Sequence, residues 1–160
     1  MKYAKILPND YLNGTGVSVS IWMQGCPHKC KGCHNPELWS FEGAIIEEDD
    51  IFFERLKDYI YANQIPRPRN ISILGGEPFC EENVEDTFKI IRFVKKYVPR
   101  CRVTVWTGYK IEELPFDREK YNIKDIDIII DGPYEEDKRT VTLPLRGSTN
   151  QRILFKNFDF

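Results

Sequence analysis

Three cysteines within eight residues are the part of this sequence best suited to do chemistry. Cys26, Cys30 and Cys33 form a C-x3-C-x2-C pattern, and only two other cysteines, Cys80 and Cys101, occur in the chain. An odd number of cysteines without an export signal argues against a disulfide framework. Thiolates are preferred ligands of zinc and of iron–sulfur clusters, so the pattern predicts a metal site.

Two kinds of metal site fit this loop. A structural zinc needs four protein ligands. The fourth would come from one of the remaining histidines or cysteines: His28, His34, Cys80 or Cys101. A [4Fe–4S] cluster normally takes four thiolates, so three on one loop leave one iron without a protein ligand. Because catalysis needs such an open metal position, we favour the cluster and keep zinc as the alternative.

Each of the chemistry-bearing motifs follows a predicted strand. Apolar or alternating runs predict strands at Val17–Met23, Ile71–Leu74, Arg102–Trp106 and Ile126–Ile130. These strands lead, in order, into the cysteine loop, Gly75-Gly76-Glu77-Pro78, Thr107-Gly108-Tyr109 and Asp131-Gly132-Pro133. Ligands of parallel sheets bind outside the carboxyl ends of the strands, so the four motifs should meet at one edge.

The segments between these strands predict helices. Acidic residues 47–50 begin a helix that runs to about Asn63, where Pro66 and Pro68 end it. Residues 81–98 form the clearest amphipathic helix, and residues 110–121 a weak one. Residues 3–11 are either irregular or a short edge strand, and a last strand at 152–156 completes the pattern. We predict an α/β fold, a partial (β/α) barrel of five to six mostly parallel strands that is open on one side.

Length and composition limit the classes of function. The chain has 160 residues, which suits one domain over residues 1–160 but not an eight-fold barrel of about 250 residues. Lysine and arginine number 23 against 25 acidic residues, so nothing indicates a nucleic-acid partner. No apolar run is long enough to cross a bilayer, and the N-terminus lacks the apolar core of a signal peptide. We therefore expect a cytoplasmic protein that binds neither membrane nor nucleic acid.

The cysteine pattern followed by Gly75-Gly76-Glu77-Pro78 resembles the radical S-adenosylmethionine (SAM) superfamily. Further motifs resemble the anaerobic ribonucleotide reductase activating proteins over essentially the whole chain. These are Asn13-Gly14-x-Gly16, Cys33-x-Asn35, Trp39, Trp106-Thr107-Gly108-Tyr109, Asp131-Gly132-Pro133 and Arg146-Gly147-Ser148-x-Asn150-Gln151.

The resemblance implies a mechanism and partners. SAM would chelate the open iron of a [4Fe–4S] cluster. One electron from the cluster would cleave SAM and produce a 5′-deoxyadenosyl radical. That radical would remove an α-hydrogen from a glycine on a loop of the partner reductase's catalytic subunit. A flavodoxin-like protein or another one-electron donor would reduce the cluster, and a homodimer is compatible with the sequence.

Candidate site residues follow from the motifs. The cluster ligands are Cys26, Cys30 and Cys33. By resemblance, the strip Gly75, Gly76, Glu77 and Pro78 holds the amino end of SAM, and the loop residues Gly32, Cys33 and His34 border its adenine. Thr107 and Asp131 are candidates because each ends or follows a strand at the functional edge. Thr107 would touch the ribose or carboxylate of SAM, and Asp131 would bind a cation or a helix N-terminus.

Two other functions remain open at this point. The first is a radical SAM enzyme with a small-molecule substrate, such as a purine precursor. The second is a non-enzymatic cysteine-rich module that binds metal. The metal content and the partner of the protein distinguish these functions from reductase activation.

Overall fold

A central six-stranded sheet organises the protein, whose computed structural model describes residues 1–62 and 68–160. The strands are β1 (Lys2–Tyr3), β2 (Lys5–Asp10), β3 (Ser18–Met23), β4 (Ile45–Ile46), β5 (Asn70–Gly75), β6 (Val103–Trp106), β7 (Ile128–Asp131) and β8 (Arg152–Phe155). The helices are α1 (Asp49–Tyr61) and α2 (Val84–Tyr97). The main sheet has the order β2-β3-β5-β6-β7-β8, and β1 pairs with β4 in a small separate sheet.

The four inner strands of the main sheet are parallel, and the two edge strands are antiparallel to their neighbours. Met23 pairs with Gly75 at the end of β3 and β5, and Trp106 pairs with Ile130 at the end of β6 and β7. This register aligns the carboxyl ends of the inner strands, so the segments that follow them start from one edge.

One face of the sheet carries the main hydrophobic core. Alternate side chains of the inner strands, such as Ile21, Ile73 and Val105, are fully buried in a cluster with the apolar faces of both helices. Acidic residues in the first turn of α2 and lysines in its last turn complement the helix dipole. Among the described residues, neither helix is long and apolar enough to cross a membrane.

The opposite face of the sheet is more polar. Its buried side chains include the hydroxyl residues Ser18, Ser20, Ser72 and Thr104. The segment 11–17 crosses this face, and Ser72 Oγ donates a hydrogen bond to the carbonyl of Asn13 at 2.7 Å. A Cβ at Gly14, where φ is +120°, would lie 2.6 Å from Ser72 Oγ. The glycine in this turn therefore permits a close approach that no other residue allows.

The structure confirms the predicted α/β class and the mostly parallel sheet, and the six strands of the main sheet fall within the predicted five to six. Across the described residues the sheet is not closed, since β2 and β8 are its two edges and do not pair with each other. Curvature into an open partial barrel stays a prediction. The predicted end of α1 at Asn63 and the helix breaker Pro66 lie outside the described residues, whereas described α1 ends at Tyr61.

The prediction of a weak helix over residues 110–121 is wrong. This segment contains one 3-10 turn, Ile111–Glu113, and a second turn follows at Ile123–Asp125. Pro115 is incompatible with a continuing helix because it lacks an N–H and restricts the residue before it. The left-handed backbone of Asn122, with φ of 52°, separates the second turn from the residues before it.

We predict that Phe88→Ala lowers the free energy of unfolding by about 3–5 kcal/mol. Phe88 is fully buried in α2, and its ring lies 5.5 Å from that of Phe116 and 4.9 Å from that of Tyr121. Urea unfolding followed by circular dichroism measures the change. Phe158→Ala is the matched control, because Phe158 is 91% exposed and its loss should change stability by no more than about 0.5 kcal/mol. Equal effects of the two substitutions would contradict this assignment of the core.

Candidate metal and cofactor site

A cavity of about 390 Å³ lies at the carboxyl ends of the inner strands. All three clustered cysteines line it, together with Gly75, Gly76, Glu77, Thr107 and Gly108. The Asp131-Gly132-Pro133 motif contributes Gly132, and His34 lines the wall beside Tyr134. The structure thus brings the cysteine loop and the segments that follow β5, β6 and β7 around one space.

Three candidate residues do not line this cavity. Gly32 lies against the Glu136 side chain, and a Cβ at this position would approach Glu136 Oε1 to 2.7 Å. Pro78 is buried, and its carbonyl accepts a hydrogen bond from the Thr87 hydroxyl at 2.9 Å. Asp131 is the third, and its carboxylate has other partners.

Asp131 is fully buried and pairs with Arg152. One carboxylate oxygen accepts from Arg152 Nε at 2.9 Å, and the other accepts from the backbone N–H of Ile111 at 2.8 Å. Arg152 also contacts Glu112, and both acidic partners raise the pKa of its guanidinium. Asp131 therefore joins β7, β8 and the 3-10 turn Ile111–Glu113, which is a structural role.

The cysteine loop is anchored at both ends. Gly25 N–H donates to the carbonyl of Leu38 at 3.0 Å, and Cys26 N–H donates to the carbonyl of Trp39 at 3.2 Å. Leu38 ends the 3-10 turn Pro36–Leu38, which starts three residues after the third cysteine, and Trp39 directly follows this turn. Between its ends the loop projects toward the cavity.

The sulfur atoms are partly buried and receive backbone hydrogen bonds. Asn35 N–H donates to Cys33 Sγ at 3.4 Å. Burial raises the pKa of the Cys26 and Cys30 thiols, and backbone N–H groups oppose that rise. These N–H groups belong to His28 and Lys29 at Cys26 and include Tyr134 at Cys30. Such donors stabilise thiolate sulfur, as they do around iron–sulfur clusters.

This donor set fits an iron–sulfur cluster. Among residues 1–62 and 68–160, no three His, Cys, Asp or Glu side chains are arranged to hold a metal ion. A four-iron cluster binds each thiolate through a different iron, so its ligands do not converge on one point as those of a single ion do. Ligation by the three cysteines stays a prediction.

The strip after β5 lies directly against the base of the cysteine loop. Gly76 N–H donates to the carbonyl of Met23 at 2.9 Å, and Glu77 N–H donates to that of Gly25 at 2.8 Å. A Cβ at Gly76 would collide with the Gly25 carbonyl. Glycine is therefore required here, because the two backbone segments touch.

The carboxylate of Glu77 is fully buried and accepts four hydrogen bonds. Oε1 accepts from Phe79 N–H at 2.9 Å and from the Thr107 hydroxyl at 2.7 Å. Oε2 accepts from Gly108 N–H at 2.7 Å and lies 2.9 Å from His28 Nε2. Glu77 and Thr107, both predicted to contact the cofactor, thus direct their polar atoms to each other and to neighbouring protein groups.

The sequence did not identify the role of an arm formed by residues 139–148. Arg139 and Ser148 form an antiparallel bridge at its base, and Trp106 Nε1 donates to the carbonyl of Leu145 at 2.8 Å. Arg146 lines the cavity and, in the described part of the chain, is the only lysine or arginine that does so. Its buried Nε has no partner among the described residues. Only the resemblance motif that contains Arg146 pointed to this arm.

The remaining cysteines lie elsewhere. Cys80 Sγ donates to the carbonyl of Glu77 at 3.2 Å, and Cys101 Sγ donates to that of Arg69 at 3.1 Å. Burial raises the pKa of both thiols to about 12. Neither lines the cavity, and both are buried, so we interpret them as structural thiols.

Comparisons with known proteins show the family of the chain. A family model described as a 4Fe-4S single cluster domain matches residues 12–154. Three relatives each carry the name anaerobic ribonucleoside-triphosphate reductase-activating protein. The Haemophilus influenzae protein is 33% identical over 153 residues, covering 96% of this chain and 97% of the relative. The enterobacteria phage T4 protein is 34% identical over 154 residues, with coverages of 96% and 93%.

The Escherichia coli K12 relative is 31% identical over 158 residues, with 96% of this chain and 97% of the relative covered. These matches extend over nearly the full length of both chains in every case. The chain therefore belongs to the family of anaerobic ribonucleoside-triphosphate reductase-activating proteins.

Proposed function

We propose that the protein is a radical SAM enzyme that generates a glycyl radical on an anaerobic ribonucleotide reductase. The observation that carries the proposal is one cavity lined by three clustered cysteines and a diglycine strip, in a family named for reductase activation. Residues 1–160 would act as a single activating domain. The cavity volume of about 390 Å³ is within the range of small-molecule and cofactor sites.

Cys26, Cys30 and Cys33 would hold a [4Fe–4S] cluster. When bound, the cluster and SAM supply one-electron cleavage and a radical able to remove a hydrogen atom from glycine. The chain's own part is to bind, orient and exclude water. Backbone N–H groups partly oppose the rise in pKa that burial imposes on the Cys26 and Cys30 thiols, and the Asn35 N–H donates to Cys33 Sγ.

The cavity wall offers groups suited to the amino-acid end of SAM. Gly75 and Gly76 expose backbone without side chains, so that an amino group can approach their carbonyls. Arg146 supplies a guanidinium whose buried Nε lacks a partner in the described part of the protein. A carboxylate is the group that an arginine binds best, often through two parallel hydrogen bonds. We therefore assign Arg146 to the carboxylate of SAM.

An open sheet suits a substrate that is itself part of a protein. We propose that the sheet forms a partial barrel that is open beyond an edge strand. A loop of the reductase that bears the target glycine would enter there and supply the missing wall. A flavodoxin-like protein or a similar donor would reduce the cluster. A small-molecule substrate is the competing hypothesis, and the first experiment below distinguishes it from a protein substrate.

Mixing the reduced protein, SAM and the anaerobic reductase should produce a glycine-centred doublet in the electron paramagnetic resonance spectrum. A reductase with the target glycine replaced by alanine is the control and should give no doublet. SAM cleavage without the doublet would favour a small-molecule substrate. Colourless protein that carries one zinc would contradict the cluster itself.

Cys33→Ala should abolish assembly of the four-iron cluster, because one of the three predicted thiolate ligands is removed. Iron and sulfide analysis after anaerobic reconstitution, together with the visible absorption spectrum, measures the loss. Cys101→Ala is the matched control, since Cys101 is buried away from the cavity and its variant should keep roughly four irons per chain. A complete and active cluster in Cys33→Ala would show that the ligand assignment is wrong.

Arg146→Gln should weaken SAM binding by about ten- to a hundredfold, the effect of losing one charge-assisted hydrogen-bonding group. Equilibrium dialysis with labelled SAM on the cluster-loaded protein gives the dissociation constant. Arg146→Lys should keep part of the affinity because it keeps the charge. Arg139→Gln, an exposed change at the base of the same arm, is the control. Unchanged SAM affinity in Arg146→Gln would exclude this contact.

A further inference from the structure

A side chain of the cysteine loop contacts the buried residues that follow the strands of the sheet. His28, between the first two clustered cysteines, places Nε2 at 2.9 Å from Glu77 Oε2. The Glu77 side chain is fully buried, whereas that of His28 is 20% exposed. The pair therefore lies at the boundary between the loop and the interior of the protein.

The position of His28 is fixed by the segment that follows β6. Its ring meets the Tyr109 ring edge-on, with 4.4 Å between the ring centroids. A Cβ at Gly108 would lie 2.5 Å from His28 Cδ2 and 2.8 Å from Nε2. Because Gly108 has no side chain, the imidazole of His28 can occupy this space. The Gly108 N–H and His28 Nε2 contact the same oxygen, Glu77 Oε2.

The Glu77 carboxylate has little hydrogen-bonding capacity left for another partner. Both carboxylate oxygens already accept two hydrogen bonds, from groups on the cysteine loop, on its own turn and after β6. A buried carboxylate must keep such partners, because desolvation without them is costly.

We propose that Glu77 and His28 are positioning residues that hold the cysteine loop in its cluster-binding conformation. In this assignment, which rests on the proposed iron–sulfur cluster, neither side chain contacts SAM. The hydrogen bond from His28 connects the loop to the buried carboxylate, whose own position is fixed. Groups of this kind, which orient metal ligands without binding the metal, commonly change metal affinity by 10- to 100-fold when they are lost.

His28→Phe tests the hydrogen bond because phenylalanine keeps an aromatic ring against Tyr109 but has no N–H. His28→Gln restores an amide N–H that can reach Glu77. Lys31→Gln is the matched control on the same loop, where the side chain is 90% exposed. All variants are loaded with iron and sulfide under anaerobic conditions. The rate of iron loss to a chelator and the midpoint potential of the cluster are measured, as is the unfolding midpoint of the metal-free protein.

We expect His28→Phe to lose iron about tenfold faster than the unsubstituted protein and to shift the cluster potential. Because Glu77 Oε2 keeps the Gly108 N–H donor, the metal-free unfolding midpoint of His28→Phe should fall only slightly, by less than would account for the iron loss. His28→Gln should recover most of the iron retention, and Lys31→Gln should match the unsubstituted protein. Unchanged iron loss in His28→Phe would overturn the inference. So would equal impairment in His28→Gln, or a fall in the metal-free unfolding midpoint that accounts for the loss.

These readouts separate the inference from the proposed function. Iron retention and potential need neither SAM cleavage nor the reductase, so failure to form a glycyl radical leaves the expected results for His28 unchanged. If the unsubstituted protein takes up no cluster, the proposed function and the inference both fail. A normal cluster in the unsubstituted protein with no effect of His28→Phe overturns the inference alone.

Discussion

The burial of the Glu77 carboxylate is the constraint on which the site geometry depends. A charge removed from water must be matched by hydrogen bonds, and its four donors come from three separate stretches of chain. The carboxylate is satisfied only when the cysteine loop, the turn after β5 and the segment after β6 are in place together. Parallel pairing brings these stretches to one edge of the sheet, and the carboxylate then fixes their spacing.

Much of this arrangement was predictable because it is local in the sequence. Runs of β-branched residues mark the inner strands, and the spacing of the cysteines marks the loop. The convergence of motifs at one edge follows from parallel topology alone. The helix α2 begins a few residues later than the sequence predicts, since residues 81–83 form a turn before the helix begins at Val84.

Other features depend on contacts between distant residues, which one sequence does not reveal. Glu77 lies 49 positions from His28 and 30 from Thr107, and no local pattern shows that they meet. Asp131 was a candidate binding residue because it ends a strand, yet its carboxylate is hydrogen-bonded to Arg152, 21 positions away. The absence of the predicted helix before Asn122 has a local cause, because Pro115 interrupts the weak helical pattern around it.

The separation of the cysteine loop from the hydrophobic core has a consequence for how the protein matures. The main core packs both helices against one face of the sheet and contains none of the three clustered cysteines. Formation of this core therefore does not require metal, unlike the folding of a small zinc finger, which folds only when loaded. The chain would then be able to fold first and receive the proposed cluster afterwards. Oxidative loss of the cluster would then leave a folded protein that can be loaded again.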